Sequence, residues 1–294
     1  GDLGGDANRP DLLMSGICES VEEVGLYQTE VFYRHFCYRI GRDVDEEGNP
    51  LSWSEIQLWP EDLYNLGLPY VVTGGGAAIA DVDGSGVPDL ILTGLGYASG
   101  DATETHLWHV VGYDVRLDGS VDHWGTLYHY DKSDIPALGD FNCAGVGGGA
   151  AVTDFDGDGT LDLLVMMEVI KALGDYQYDH WLQYWVGWDL QATGNPVSWS
   201  PAFRSPVDIP IPAGQGVGAD LADLNGNGRP DLVMALLEGN AGAPQFHYTI
   251  AYDLDATGQS GHWTQPRSMR QDLCGRGEQC IDYQGGGMAI GDVD

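Results

Sequence analysis

The sequence predicts an all-β fold: a β-propeller of four-stranded antiparallel blades, in four repeat units of about 70 residues, as a ring of four or as part of a larger array. Three observations predict it. One string recurs along the chain, as GGGAAIADVDGSGVPDLILTG at 74–94, GGGAAVTDFDGDGTLDLLVMM at 147–167, GVGADLADLNGNGRPDLVMAL at 216–236 and the partial GGGMAIGDVD at 285–294. Its leading aspartates, Asp81, Asp154, Asp223 and Asp292, are spaced by 73, 69 and 69 residues. A second landmark keeps phase with the first. Asp43, Asp114, Asp189 and Asp253 each follow an apolar and aromatic run, each with Gly five residues on (Gly48, Gly119, Gly194, Gly258) and Trp ten residues on (Trp53, Trp124, Trp199, Trp263). Finally, the stretches between these turn signals read as short β-type runs.

The units are roughly 1–73, 74–146, 147–215 and 216–284 of a single domain 1–294, and 285–294 supplies the first strand of a next unit. GDLGGDANRPDLLMSG, at the start, is a degenerate copy lacking its first half. In the unit 74–146 the Gly-rich GGGAAIAD forms strand one and leads into an acidic loop. PDLILTG is strand two, ETHLWHVVGYDV strand three, and HWGTLYHY, after a Gly-centred turn, strand four. The repeated Gly supplies a positive φ in that hairpin. The repeated Trp recurs at one phase in every unit, which points to a packing layer between blades rather than to ligand stacking.

Charge narrows the function. Lys plus Arg number 12 against 45 Asp plus Glu, a formal net charge of −33, so no basic surface exists to release counterions from a phosphate backbone and nucleic acid is excluded as a partner. Such acidity opposes compaction unless cations neutralise part of it. The longest apolar runs, such as 161–167, fall far short of a membrane span, so no membrane insertion is expected. Five cysteines without a CxxC indicate neither a zinc ribbon nor a thioredoxin-type site. Cys274 with Cys280, and Cys18 with Cys37, read as disulfides of an oxidising, extracellular compartment. Cys143 is left as a buried thiol or a bond to another chain.

Three acidic loops are complete: DVDGSGVPD at 81–89, DFDGDGTLD at 154–162 and DLNGNGRPD at 223–231. Calcium takes six to eight hard oxygens, and this order offers side-chain oxygens at positions one, three, five and nine, with a backbone carbonyl at seven. Glycines at positions four and six let the chain turn so that alternate side chains converge. A single acidic turn of this kind is ordinary hairpin chemistry; three in phase argue for metal. An EF-hand is excluded, because position twelve is Leu92, Val165 or Met234 inside a β-type run instead of a glutamate.

The pattern GGGxAxxDxDGxGxxDLxL resembles the FG-GAP or VCBS-type repeats of integrin-α-like propellers, and the resemblance covers all four units. It implies Ca2+ ligands at Asp81, Asp83, Ser85, Val87 (backbone) and Asp89; at Asp154, Asp156, Asp158, Thr160 (backbone) and Asp162; and at Asp223, Asn225, Asn227, Arg229 (backbone) and Asp231. It is specific for fold and metal and far less so for function, since such repeats serve adhesion and glycan binding alike. The first copy departs from the pattern by one extra residue and by Gly4 at a ligand position.

The two ends cut the repeat at nearly the same place. In a closed ring, 285–290 would complete the first blade and bring Asp292 and Asp294 close to Asp2, Asp6 and Asp11, a candidate fourth calcium site. The same strand donated to a neighbouring molecule would instead build a head-to-tail filament, and the periodic cut favours that assembly. No HExxH, GxSxG, P-loop or dinucleotide fingerprint is present, and the histidines share no common phase. The expectation is a secreted, non-catalytic structural or adhesive module whose partners are copies of itself or other extracellular proteins. The alternative is a lectin-like propeller whose aromatic side chains stack on glycans.

Overall fold

A computed structural model describes residues 11–24, 29–44, 50–63, 70–98, 101–131, 133–135, 145–174, 177–206, 214–238 and 245–269. These contain no helix, and their strands form four small antiparallel sheets arranged as a four-bladed β-propeller. Blade one comprises β1 (Leu12–Val24), β2 (Thr29–Val44), β3 (Pro50–Trp53) and β4 (Gln57–Leu58). Blade two comprises β5 (Tyr70–Ala80), β6 (Asp89–Ala98), β7 (Asp101–Val115), β8 (Val121–Trp124) and β9 (Tyr128–Tyr130). Blade three follows with β10 (Gly145–Thr153), β11 (Asp162–Gly174), β12 (Gln177–Leu190), β13 (Pro196–Trp199) and β14 (Phe203–Arg204). Blade four holds β15 (Gly214–Ala222), β16 (Asp231–Glu238), β17 (Gln245–Tyr252), β18 (His262–Trp263) and β19 (Arg267–Met269).

Each complete sheet runs from its Gly-rich strand outward, as in β5-β6-β7-β8. The sheet of blade one is ordered β1-β2-β3, and among the described residues nothing pairs with the free edge of β1. The segment 285–290 expected there lies outside the described residues, as do Cys143, Cys274 and Cys280. Cys18 and Cys37 are bonded, with Cα atoms 5.7 Å apart. They link β1 and β2 diagonally, since Cys37 sits opposite Gly16 and Cys18 opposite His35.

The fourth strand differs from expectation: it is two short strands, both paired with strand three, as β8 and β9 are with β7. The break follows the Trp. The hydroxyls of Ser54, Ser200 and Thr264 accept the N–H of Ile40, Val186 and Ile250 at 2.9 Å. The backbone N–H of each donates to the carbonyl of that same strand-three residue. One residue's donor and acceptor are thus both taken at a single position, which interrupts the ladder as a bulge does. Pro201 and Pro266, lacking an N–H, then hold it open.

The second strands are apolar without alternation because both their faces are buried. In β6, Leu90 and Leu92 pack toward blade one with Phe36, Tyr38 and Ile40, while Ile91 and Leu95 pack toward blade three with Val165 and Met167. In β11, Leu164 and Met166 meet Leu232 and Met234 of blade four. Each such aliphatic side chain contributes about 1.5–3 kcal/mol on burial. Trp124, Trp199 and Trp263 lie between blades, as their common phase predicts, with ring centroids 6.1, 5.2 and 6.3 Å from Tyr38, Tyr130 and Tyr184 of the preceding blade. Trp53 is instead 37% exposed and is covered by the Arg39 guanidinium at 4.5 Å.

A hydrogen bond to the hairpin of the next blade recurs at each of these junctions. Tyr38 Oη donates to the Gly119 carbonyl at 2.8 Å, and Tyr184 Oη to that of Gly258 at 2.8 Å. His109 takes the same place in blade two, with Nε2 2.9 Å from the Gly194 carbonyl. A carbonyl only accepts, so Nε2 carries the proton. Nδ1 has no hydrogen-bond partner among the described residues. Burial holds the ring far below the usual histidine range, to about 4, against the opposing pull of the Gly194 carbonyl.

The first strands of neighbouring blades meet around the centre, backbone against backbone. A Cβ at Gly76 would lie 1.7 Å from the Gly148 carbonyl oxygen, and one at Gly149 would lie 2.9 Å from the Ala219 nitrogen. The glycine run therefore sets how closely the blades approach. Gly76→Ala is expected to lower the melting temperature by roughly 3–10 °C, the scale of an overpacked core. Gly16→Ala is the control, since among the described residues nothing lies within 4 Å of its added Cβ. Calorimetry of the two variants checks this.

His109 makes stability depend on pH in a defined direction. Its folded pKa lies below the unfolded value, so the contribution of the neutral ring is fully present above about pH 6.5 and is lost as pH falls toward about 4. Between about pH 7 and pH 5, urea unfolding of the wild type should lose about 2 kcal/mol that His109→Gln does not lose.

Candidate metal centre

Each acidic loop joins the first strand of a blade to its second, between β5 and β6, β10 and β11, and β15 and β16. The chain folds back sharply there because positions four and six adopt positive φ: 76° and 86° at Gly84 and Gly86, 80° and 93° at Gly157 and Gly159, 74° and 84° at Gly226 and Gly228. Position one then accepts the N–H of position six, at 2.9 Å for Asp81 with Gly86, 2.9 Å for Asp154 with Gly159 and 2.7 Å for Asp223 with Gly228. Position five accepts the N–H of position seven, at 3.2 Å from Val87 to Ser85, 2.7 Å from Thr160 to Asp158 and 2.9 Å from Arg229 to Asn227.

Position nine does something else. Asp89, Asp162 and Asp231 are at most 1% exposed, and both oxygens of each are engaged by backbone. One oxygen accepts the N–H of position two, at 2.8 Å from Val82, 2.9 Å from Phe155 and 2.8 Å from Leu224. The other accepts the N–H of an aspartate ending strand three, at 2.9 Å from Asp114, 2.8 Å from Asp189 and 2.7 Å from Asp253. Those aspartates, with Asp43, all have φ between 52° and 55°, the left-handed conformation that Asp tolerates better than most residues.

These contacts bring together Asp81, Asp83 and Asp89 in blade two, and Asp154, Asp156 and Asp162 in blade three, each group with one oxygen per residue within 4.8 Å of the others. Either cluster can hold a metal ion. Asp158 is outside the second group, and Ser85 Oγ donates to Asp114 Oδ1 at 3.0 Å. The third loop has only Asp223 and Asp231 as carboxylates, beside Asn225 and Asn227. Burial, foremost, raises Asp89 and Asp162 above the usual carboxylate range, with Asp83 and Asp156 adding repulsion and the backbone donors opposing. Asp223, exposed, is held low by the N–H groups of its own turn, that of Gly228 first. Arg42, Arg116, His123 and Arg204 pair with Asp11, Asp122 and Asp179, outside these complete loops. A set made only of carboxylate, amide, hydroxyl and carbonyl oxygens suits a hard cation and not a thiophilic one.

Asp11 is the ninth-position residue of the degenerate first copy. Its Oδ1 accepts the Asp43 N–H at 3.0 Å, and its Oδ2 meets Arg42 Nη1 at 2.8 Å where the complete loops use the N–H of position two. Asp2, Asp6, Asp292 and Asp294 lie outside the described residues. The role of the aspartates ending strand three escaped the sequence reading, although their phase was visible. Besides donating to position nine, Asp253 Oδ1 accepts Asn225 Nδ2 at 2.9 Å and also meets Asn227, so its carboxylate adjoins the loop.

The fold and the loops together define a four-bladed β-propeller with acidic turns able to hold metal. No protein-family model matches the chain, and no curated protein matches it in sequence.

Position nine supports the turn without any ion. Asp162→Asn replaces one acceptor with a donor facing a backbone N–H, and should destabilise by about 1–3 kcal/mol in chelator as well as in metal. Urea unfolding under both conditions measures it.

Proposed function

We propose that this chain is a non-catalytic, calcium-binding extracellular module in which the ion stiffens the corner of each blade and the propeller works by contact with other proteins, copies of itself included. One observation carries the reading. A loop of hard oxygen donors recurs at the same corner of successive blades, and in two of them three carboxylates converge within 4.8 Å. Asp81, Asp83 and Asp89 would hold one ion, Asp154, Asp156 and Asp162 a second, with Asp158 and Ser85 adjoining. The Asp223 loop, with fewer charges, would hold the weakest. The repeat resemblance supports calcium over magnesium, and so does the flexibility of a glycine-rich turn, since magnesium demands near-ideal octahedral geometry. The bonded Cys18 and Cys37 support an oxidising compartment. The buried histidine most displaced from its usual range, His109, serves a blade junction, which supports a scaffold rather than a catalyst.

Calcium that binds the folded chain preferentially stabilises it, by about 2.7 kcal/mol per site at 100 times the dissociation constant. Chelator should therefore lower the melting temperature by several degrees, and Asp156→Ala should forfeit more of the calcium-dependent increment than Asn225→Ala. Identical melts with and without chelator would sink the metal reading. Light scattering with calcium and with chelator tests self-association: a particle that stays monomeric in both removes copies of itself from the partners.

A further inference from the structure

A pocket of about 320 Å³ opens between blades three and four, lined by Tyr184, Phe203 and Arg204 on one side and by Gln259, Ser260 and Trp263 on the other. Its origin can be read from the repeat. The residue whose N–H follows the short outer strand back to strand three is Trp59 in blade one, bonded to the Phe36 carbonyl, and Ser205 in blade three, bonded to that of Leu182. In blade two the same place is held by Tyr130, opposite Leu107. Trp59 is 2% exposed against Phe36, so the first junction is filled. Tyr130 packs edge-on against Trp199 at 5.2 Å and its hydroxyl donates to Asn195 Oδ1 at 2.7 Å, so the second is filled too. Ser205, buried between Arg204 and Pro206 of the pocket wall, carries no ring at the third. The facing hairpin is also trimmed, because Ser260 stands where blades two and three have Val121 and Pro196.

Blade two therefore shows what the vacancy accepts. Trp263 corresponds to Trp199, and Gln259, the residue after the hairpin Gly258, corresponds to Asn195 after Gly194. A ring laid against Trp263 with a hydroxyl reaching the Gln259 amide would repeat the Tyr130 arrangement with an outside molecule. Arg204 stands at the mouth, stacked 4.1 Å over Trp181 and 3.7 Å from Asp179. Its charge disfavours a cationic ring, and the net charge of −33 disfavours an anionic one.

We propose that the cleft between blades three and four is a binding site for a neutral phenolic ring, supplied either as a tyrosine side chain or as a free phenol. The aromatic wall of Tyr184, Phe203 and Trp263 takes the ring, and Gln259 takes the hydroxyl.

The test is NMR titration of the intact chain with N-acetyl-tyrosinamide, p-cresol, N-acetyl-phenylalaninamide and methyl glucoside, following the Trp263 indole N–H. The tyrosine amide should bind with a dissociation constant of about 1 mM and about threefold to tenfold tighter than the phenylalanine amide, the ratio expected for one hydroxyl hydrogen bond. Equal binding of p-cresol assigns the source to free phenols, and tighter binding of the amide to a polypeptide. Ser205→Tyr, which restores the ring that blade two carries, should abolish binding while keeping the fold and raising the melting temperature. Gln259→Leu should erase the preference for tyrosine over phenylalanine. A response to methyl glucoside alone, no response to any probe, or undiminished binding by a folded Ser205→Tyr variant would overturn the proposal.

Discussion

The architecture of each blade depends on one buried carboxylate. Asp89, Asp162 and Asp231 each clasp two backbone N–H groups, one in the acidic turn and one at the end of strand three, 25, 27 and 22 residues further along. A carboxylate out of water is tolerable only when its oxygens are engaged, and these are. The clasp holds the turn and the hairpin at one corner, and in blades two and three three carboxylates converge there within 4.8 Å. What the clasp leaves unmet at Asp89 and Asp162 is charge: burial, and after it the neighbouring Asp83 and Asp156, disfavours their ionised form. Blade one shows the alternative solution. There the Arg42 guanidinium lies against Asp11 and reaches across to the carbonyls of Arg116 and Leu117 in blade two, tying two blades together with the same positive charge.

Between blades two constraints act at opposite radii. At the centre, backbone meets backbone and any side chain beyond hydrogen is excluded at Gly76. Further out, the junctions are filled by large rings, and the hairpin glycines come close enough to the preceding blade for Tyr38, His109 and Tyr184 to bond their carbonyls. The junctions are alike in backbone and unlike in filling. Trp59, Tyr130 and Ser205 occupy one place in three blades, and the smallest of them stands between Arg204 and Pro206, which line the pocket. Likewise His109 stands where the other three blades carry Tyr38, Tyr184 and Tyr248, and so makes its junction sensitive to protonation.

Much of this was legible in the sequence because it is local and periodic. The copies of the acidic string, the Asp, Gly and Trp at fixed offsets and the uninterrupted apolar second strands define blade, turn and packing layer within some 70 residues of chain. The glycines at positions four and six of each loop needed no tertiary information, since the turn they make is their own. Other features were visible but unexplained. The aspartates ending strand three were seen as a landmark, yet nothing local says that their N–H groups find position nine. The split of strand four was missed because in blades one, three and four a serine or threonine hydroxyl replacing a ladder bond looks, in sequence, like any polar residue in a strand, while blade two splits at Gly125 without one.

The sequence by itself thus determined the repeat, the all-β character and the oxygen-rich loops, because strand alternation, turn chemistry and charge are properties of neighbouring residues. Only the tertiary structure decided which carboxylates meet, that Arg42 pairs with Asp11, and that Arg204 and Ser260 line one pocket. Those outcomes depend on strand register and on which face of one blade lies against the next. Register and facing are settled by the packing of whole sheets, and a one-residue slip would send every one of these side chains to the opposite side.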